Sequence, residues 1–335
     1  MLVVADNMQG VEGGHMTDDM WVDVDRAKAF LKRSVLERMP RPGVYETGLA
    51  GVRMYRRDKT TEPQTCFYQP VIVKMAQGCK RAFMGKDEYR YGEDDILVTG
   101  VDMPGASMIC EASPDVPSLS IAIDLDKSLI AQLALEMPHK PTEAASVVKG
   151  IHVQQLDTEL LDAYVRLAKL FDCPEKLLVL GPMIVREIHY FLLAGQNGHR
   201  LRSFYTLGSQ GNHVAQAITW LKQNLAAAVQ VEELAEKVHM APSTFHRHFK
   251  EVTTLSPLQF QKRLRLHEAQ RLMLMQNMDA SSAGMAVGYE SLSQFSREYK
   301  RLFGESPRKD VQRLREEALF TSQPATERGV KIQGF

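Results

Sequence analysis

The spacing of apolar residues changes from helical to strand-like early in the chain. Apolar residues between positions 21 and 39 recur at helical spacing, which predicts a helix. From Gly43 to Leu125, short β-rich runs alternate with turn residues at intervals of roughly 8–12 residues, a pattern typical of a sandwich or barrel. The predicted strands are Gly51–Tyr55, Val71–Met75, Arg81–Met84, Glu88–Tyr91, Asp95–Thr99, Ser107–Glu111 and Ser118–Asp124.

Helical spacing returns after Asp126, where Leu177, Ile184 and Ile188 belong to one apolar stripe. Glycine, serine and asparagine are concentrated between residues 195 and 211, which indicates a domain boundary. The pattern therefore predicts an α+β protein of two domains. Its predicted parts are a flexible tail (1–20), a first domain of a β-barrel with flanking helices (21–200, with 127–200 helical), a linker (201–212), an all-α second domain (213–318) and a tail (319–335).

Composition places the chain among globular proteins. Of its 335 residues, 44% are hydrophobic and 24% are charged, which excludes wholesale disorder. Lys+Arg and Asp+Glu balance at 41 each, although residues 213–320 carry 15 basic and 12 acidic residues. This local excess is too small to indicate nucleic-acid binding by itself.

The cysteines and the apolar runs predict where the protein works. The four cysteines contain no CxxC pair, so their spacing fits neither a zinc site nor a compact disulfide framework. We expect reduced thiols in a cytoplasmic protein. No apolar run reaches the ~18 residues of a membrane span, and the N-terminus lacks the basic region of a secretory signal. No membrane partner is therefore expected.

The second domain contains an internal repeat at an offset of 50 residues. Each copy has the pattern of a helix–turn–helix unit, whose second helix covers Ser243–Thr253 in the first copy and Leu292–Phe303 in the second. The aromatic residues of each second helix, four positions apart, are expected to face the core, which leaves its polar side chains available to a DNA groove. The matched pairs are Phe245/Phe295, Arg247/Arg297, Phe249/Tyr299, Lys250/Lys300, Ser256/Ser306 and Pro257/Pro307.

The segment Pro257–Gln276 is predicted to be a helical connector between the two copies. Its twenty residues would span about 30 Å as a helix, and successive major grooves on one side of B-DNA lie about 34 Å apart. The connector therefore suits two units that enter adjacent major grooves. Basic side chains along it and on the second helices are predicted to contact phosphates. These are Lys250, Lys262, Arg263, Arg265 and Lys300.

The stretch from Ala286-Val287-Gly288-Tyr289 through Phe295-Ser296-Arg297 to Phe303-Gly304-Glu305-Ser306-Pro307 resembles the signature segment of the AraC/XylS family of bacterial transcription regulators. The resemblance covers about 216–314 and implies a seven-helix domain with two helix–turn–helix units. By motif position it implies that bases are read by Ser243, His246, Arg247, Ser293, Gln294 and Arg297. The chain departs from the family pattern at Thr254 (often glycine), Gly284 (usually alanine) and Asp310 (commonly tyrosine).

The first half resembles, less specifically, the N-terminal domain of one AraC-type subgroup, through segments such as Tyr68-Gln69-Pro70 and Val101-Asp102-Met103-Pro104. This resemblance implies a cupin-like barrel followed by helices that support dimerisation. In the family, such a domain senses a small molecule or sets the oligomeric state.

A ligand of the barrel would be expected in its mouth or interior. The candidate lining residues, each of which also fits the apolar core, are Tyr45, Phe67, Tyr68, Met75, Phe83 and Met108. The chain has no histidine between His15 and His139, so the barrel lacks the histidine cluster of a metal-dependent cupin. GxSxG, P-loop and dinucleotide motifs are also absent. No catalytic residue, metal or cofactor is predicted.

Together these observations predict a transcription regulator that reads two adjacent major grooves and responds to a ligand through its barrel. The expected partners are double-stranded promoter DNA, RNA polymerase, a second copy of the chain and a small-molecule effector. Two alternatives stay open at this point. One is a constitutive regulator whose barrel only dimerises, and the other is a small-molecule enzyme fused to regulatory helices.

Overall fold

The computed structural model describes residues 23–137 and 148–322, with side chains described as far as residue 316. The predicted tail 1–20 lies outside the described residues, as does most of the predicted tail 319–335. The strands are β1 (Gly43–Glu46), β2 (Val52–Arg57), β3 (Gln64–Tyr68), β4 (Val71–Gln77), β5 (Cys79–Met84), β6 (Asp87–Tyr91), β7 (Asp95–Thr99), β8 (Met103–Glu111), β9 (Ser118–Asp124) and β10 (Ile151–Gln155). The helices are α1 (Val24–Glu37), α2 (Lys127–Glu136), α3 (Thr158–Leu170), α4 (Pro174–Ala194), α5 (Gly198–Tyr205), α6 (Gln210–Gln223), α7 (Val231–Lys237), α8 (Pro242–Thr253), α9 (Pro257–Met275), α10 (Ala280–Ala286), α11 (Leu292–Phe303) and α12 (Pro307–Ser322).

The strands form two antiparallel sheets that face each other. The larger sheet has the order β1-β2-β9-β4-β7-β10, and the smaller has the order β3-β8-β5-β6. Residues from the facing sides of both sheets, such as Met75 and Met84, belong to one buried cluster. The predicted cupin-like domain is therefore confirmed as two packed sheets, which share no ladder among the described strands and leave the barrel open.

The larger sheet is covered on both faces, which explains why its central strands are almost continuously apolar. In β4, Ile72 belongs to the cluster that packs against α1, α3 and α4. Its neighbour Val73 points the other way, into the cluster between the sheets. Because successive side chains of a strand alternate between faces, a run such as Val71–Met75 supplies both layers at once.

Two sequence-based expectations about the middle of the chain were wrong. The stretch 127–200 is not helical throughout, because β10 pairs with β7 along its whole length. The interval 201–212 is not an extended linker, since it contains the end of α5 and the start of α6. Two of its glycines have separate reasons: a Cβ on Gly211 would lie 2.9 Å from the carbonyl oxygen of Ser203, and Gly208 adopts a positive φ of 77°.

The predicted repeat is present as two helix–turn–helix units. Helices α7 and α8 form the first unit and α10 and α11 the second, and the matched pair of aromatic rings in each second helix is fully buried. The Phe245 and Phe249 ring centroids are 5.5 Å apart, as are those of Phe295 and Tyr299. The seven described helices from α6 to α12 match the number that the family resemblance implies.

Helix α9 belongs to both units. Phe260 and Leu264, in its first half, are buried in the core that contains α8. Leu266 and Met273, in its second half, are buried in the separate core of the second unit. One continuous helix of 19 residues, about 28 Å long, therefore holds the two units apart.

The first helix–turn–helix unit also shares its core with the barrel. Met84 and Met103 of the smaller sheet lie in the same buried cluster as Phe249 and Leu255. A half-buried ion pair adds to this junction, because Lys222 of α6 donates to the buried carboxylate of Asp102 at 2.6 Å. The two domains predicted from sequence are therefore not separate, because the barrel and the first unit meet in a packed interface.

Helix α4 is long and apolar enough, by length and composition, to cross a membrane, which the sequence analysis did not anticipate. Several of its apolar residues, including Leu177, Ile184 and Ile188, are buried in the core against the larger sheet. The core helix of a globular protein meets the same criterion, so α4 does not indicate a membrane partner.

Candidate nucleic-acid interface

The second helix of the first unit, α8, presents a polar outer face. Pro242 occupies the first turn, where its missing N–H costs no hydrogen bond. Phe245, Phe249 and Val252 are buried and fix the rotation of the helix. The predicted base-reading residues Ser243, His246 and Arg247 are all exposed on the remaining surface.

The second helix of the second unit, α11, repeats this arrangement. The side chain of Ser291 caps its N-terminus by accepting from the Gln294 backbone N–H at 3.3 Å, and Gly304 ends it in the left-handed region. Ser293, Gln294 and Arg297 are exposed. The structure therefore brings each predicted base-reading trio together on one exposed helix surface.

The predicted phosphate contacts divide into exposed, paired and half-buried side chains. Lys250 and Lys300 are exposed beside the two base-reading trios. Lys262 is exposed on α9 but pairs with Glu298 of α11 at 3.1 Å. Arg263 is half-buried, and burial lowers its pKa from the usual value.

Arg265 has a structural role that the sequence analysis missed. Its guanidinium donates to the carbonyl oxygens of Leu225 at 2.6 Å, Ala227 at 3.0 Å and Gly288 at 3.2 Å. Leu225 and Ala227 precede the first unit, whereas Gly288 lies in the turn of the second. Arg265 therefore joins the two units. Because its planar guanidinium already donates to three carbonyls, we no longer expect it to contact phosphate.

Further basic residues near the second unit were missed by the sequence analysis. Arg301 is exposed at the end of α11, and Arg308 and Lys309 are exposed in the first turn of α12. The repeat gave no signal for the last two, since the residues that follow Pro257, the counterpart of Pro307, are Leu258 and Gln259. Together the three basic residues extend the exposed basic surface beyond Lys300.

The glycine at position 284 is explained by its neighbour across the second unit. A Cβ at this position would lie 3.1 Å from the ring of Phe295. Most real Cβ contacts are longer, so the departure from alanine gives this buried ring room at the centre of the helix–turn–helix core.

A cavity of about 350 Å³ opens between the two sheets, and we call it the barrel cavity. It is lined by Arg53, Tyr55, Cys66, Phe67, Tyr68, Gln69, Val71, Val73, Lys80, Tyr91, Ser107, Ser120, Ala122 and Asp124. Of the six predicted ligand-lining residues, only Phe67 and Tyr68 contribute to it.

The other four predicted ligand residues lie elsewhere. Met75 is fully buried in the core, and the Tyr45 hydroxyl donates to the Arg41 carbonyl at 2.9 Å. Phe83 and Met108 alternate with inward-facing neighbours, so they lie on the outer side of the smaller sheet. The sequence analysis missed the charged lining residues Arg53 and Lys80, because an alternating strand with polar residues on one face normally exposes that face to solvent.

A second cavity, of about 340 Å³, lies between the barrel and α9, and Phe67 and Gln69 line both cavities. The Phe67 ring is 6.3 Å from the ring of Phe260 and 5.5 Å from that of His267, both on α9. Phe67 therefore separates the barrel cavity from the connector between the two helix–turn–helix units. Burial lowers the pKa of His267 to about 4, so its ring is neutral.

Within the described part of the chain, His, Cys, Asp and Glu side chains nowhere gather in a group of three or more that could hold a metal ion. The four cysteines are all free.

Both halves of the chain match known protein families. Residues 48–200 match the model of the AraC-type transcriptional regulator N-terminus, and residues 234–313 match that of a helix-turn-helix domain. The chain is 27% identical over 136 residues to the HTH-type transcriptional regulator ArgR of Pseudomonas aeruginosa, covering 40% of this chain and 41% of the relative. It is 33% identical over 97 residues to the HTH-type transcriptional activator RhaS of Escherichia fergusonii, covering 29% and 34% respectively. The chain thus spans less than half the length of these relatives.

The fold is similar to that of wild-type ToxT from Vibrio cholerae in its unsaturated fatty acid bound crystal structure. The TM-score is 0.54, and the match covers 82% of this chain and 97% of ToxT at 10% identity. At this identity the likeness concerns the fold alone.

Proposed function

The chain belongs to the AraC family of transcription regulators, and from that premise we propose that it binds promoter DNA with both helix–turn–helix units and regulates transcription. We place this activity in the cytoplasm, where chromosomal DNA and RNA polymerase are available to a bacterial regulator.

One observation carries the proposal: α8 and α11 each expose an arginine at the same position of a repeated unit. Arg247 and Arg297 are exposed, and the rings beside them, on the other side of each helix, are buried. The connector α9 is about 28 Å long, close to the ~34 Å between successive major grooves on one side of the duplex. This supports simultaneous reading of two adjacent grooves.

The proposal is tested by selecting genomic fragments that the full-length protein binds. Dissociation constants are then measured for one selected fragment and for a random fragment of equal length at fixed salt. Arg247→Ala and Arg297→Ala should each cost about 1–3 kcal/mol on the selected fragment, roughly 5- to 150-fold, because a bidentate contact to a base is lost. Binding to the random fragment should weaken much less.

The matched control is Arg90→Ala, which removes an exposed arginine from the barrel. It should leave both constants unchanged. If Arg247→Ala and Arg297→Ala weaken binding to selected and random DNA equally, these arginines do not read bases. If the protein selects no genomic fragment, the proposed function itself is contradicted.

The barrel is proposed to make this activity ligand-responsive. Phe67 lines the barrel cavity and also contacts α9, so a ligand that moves its ring would alter the helix that connects the two units. The binding of an unsaturated fatty acid by ToxT, a protein of similar fold, is consistent with such a response.

A second copy of the chain is proposed to cover the exposed side of α4. Val179, Met183 and Tyr190 share one side of this helix and are exposed. An apolar stripe of this kind can pair with its own copy about a two-fold axis. Met183→Glu should shift full-length protein from dimer to monomer in sedimentation or light scattering, whereas Lys86→Glu, at an exposed position between β5 and β6, should not. A wild-type monomer at all concentrations would contradict the dimer.

A further inference from the structure

We propose that the barrel cavity binds the carboxylate of a compact organic acid with an apolar body, with Lys80 and Arg53 holding the carboxylate. Such an acid would be the ligand to which the barrel responds, and only this regulatory consequence rests on the proposed function. Binding of the acid is measurable without DNA.

The space between the sheets carries more positive than negative charge. Arg53 and Lys80 line the cavity, and Arg57 on the same strand as Arg53 is close enough to lower the pKa of Lys80. Asp124 is the single carboxylate among the described residues that line the cavity, and it pairs with Arg53. Among the described residues, Lys80 and Arg57 are therefore left without a carboxylate, and Asp124 offsets only the charge of Arg53. An anionic ligand would relieve this excess of positive charge in a partly desolvated site.

The donors in the cavity are incompletely used. The buried Nε atom of Arg53 has no hydrogen-bond partner among the described residues. The ammonium of Lys80 donates to the Ser120 hydroxyl at 3.3 Å and stands 5.8 Å from the Tyr55 ring centroid, but pairs with no carboxylate in the described chain. An unpaired buried N–H costs free energy unless a ligand or water accepts from it. Both atoms therefore favour an acceptor with negative charge.

The remaining walls define the body of the ligand. Phe67, Val71 and Val73 supply apolar surface, and Tyr68 and Tyr91 add rings whose buried hydroxyls have a raised pKa and stay protonated. A site with mostly apolar walls and a few fixed polar groups is typical of a small-molecule pocket. The volume of about 350 Å³ suits a compact acid.

Titration of Lys80 gives the site a pH dependence. Burial lowers its pKa to about 8, and the charge of Arg57 adds to the effect. Since only the protonated ammonium attracts a carboxylate, affinity for the acid should be full well below pH 8 and should fall as pH rises through that value. The other titratable and charged groups around Lys80 are Arg53, Tyr55 and Arg57 on β2, Cys66 and Tyr68 on β3, Tyr91 on β6 and Asp124 on β9.

The test uses the full-length protein in calorimetric titration and thermal unfolding. The probes are benzoate, 4-phenylbutyrate and decanoate, each compared with its primary amide, which has a similar shape but no charge. At least one acid should bind and raise the melting temperature while its amide does not. Lys80→Met should weaken that acid at least tenfold, whereas Lys86→Met, at an exposed position after the same strand, should leave its affinity unchanged.

Each other outcome overturns the inference. It is wrong if no acid binds, if the amides bind as well as the acids, or if acid binding survives both Lys80→Met and Arg53→Gln. Where the variants fail to fold, the wild-type protein still decides, because a constant affinity between pH 7 and pH 9.5 would exclude Lys80. If the wild-type protein selects DNA fragments but binds no acid, this inference alone is refuted. If it binds an acid but selects no DNA fragment, the proposed function alone is refuted.

Discussion

The backbone N–H of Gly150 donates a hydrogen bond to the carbonyl oxygen of Val252, 3.0 Å away. Gly150 directly precedes β10, and its own carbonyl accepts from Gly100 at 2.8 Å, at the end of β7. Val252 lies in the last turn of α8, where carbonyls lack partners within the helix. The edge of the barrel therefore caps the C-terminus of α8, and the orientation of α8 depends on the barrel.

Thr254→Gly should stabilise the protein by about 1 kcal/mol, because Thr254 adopts a left-handed conformation that a β-branched residue occupies at a cost. Its φ is 65°, and the equivalent Gly304 in the second unit has a φ of 84°. The reverse change, Gly304→Ala, should destabilise by about the same amount, since a Cβ there would meet nothing within 4 Å. Chemical denaturation measures both. The Thr254 side chain also packs beside Gly85, where a Cβ would lie 2.8 Å from its Oγ1. If Thr254→Gly lowers the free energy of unfolding, this packing outweighs the backbone strain.

Asp310→Ala should destabilise the second unit by roughly 2–4 kcal/mol, because three buried or half-buried donors lose their acceptor. The nearly inaccessible carboxylate accepts from the Tyr299 hydroxyl at 2.8 Å, from Gln270 at 2.7 Å and from Arg313 at 2.6 Å. Tyr299→Phe should cost less and, combined with Asp310→Asn, should show a coupling free energy of about 0.5–3 kcal/mol in a double-mutant cycle. Additive effects of the two substitutions on unfolding would contradict this network.

Arg265→Met should weaken DNA binding without changing its salt dependence, because its guanidinium joins the two units through backbone carbonyls and we expect no phosphate contact from it. Lys250→Met is the comparison, and it should reduce the slope of log K against log salt by about 0.9, as expected for one lost phosphate contact. Binding constants at several salt concentrations distinguish the two cases. An equal loss of slope in both variants would restore Arg265 to the phosphate contacts.

Acid should destabilise the barrel through His152, which is buried on β10. Burial, followed by the positive charge of Arg200, lowers its pKa to about 4. The unfolded chain binds a proton near pH 6.5, so this contribution to stability is complete above that pH and is lost as pH falls toward 4. At pH 5 the loss should be roughly 2 kcal/mol. His152→Gln should flatten the dependence of melting temperature on pH between 7 and 5, and an unchanged slope would contradict the assignment.

Much of the candidate DNA surface follows from local sequence. The repeat at an offset of 50 places aromatic residues four positions apart, and helical geometry then places Arg247 and Arg297 on the opposite, exposed faces. The span of the connector also follows from sequence, since Ser256 and Pro257 begin α9 where the pattern predicts it. Periods of three to four residues are properties of neighbouring positions, so they can be interpreted without the fold.

The barrel cavity and the role of Arg265 were decided only by the tertiary structure. Arg53, Lys80 and Asp124 come from three strands, and only the pairing order of two sheets brings them together. Arg265 is a surface cation by sequence, yet it meets carbonyls from residues 23 to 40 positions away. Such contacts depend on strand register and helix packing, which join residues far apart in the chain, whereas hydrophobic periodicity records only which side of its own element a residue occupies.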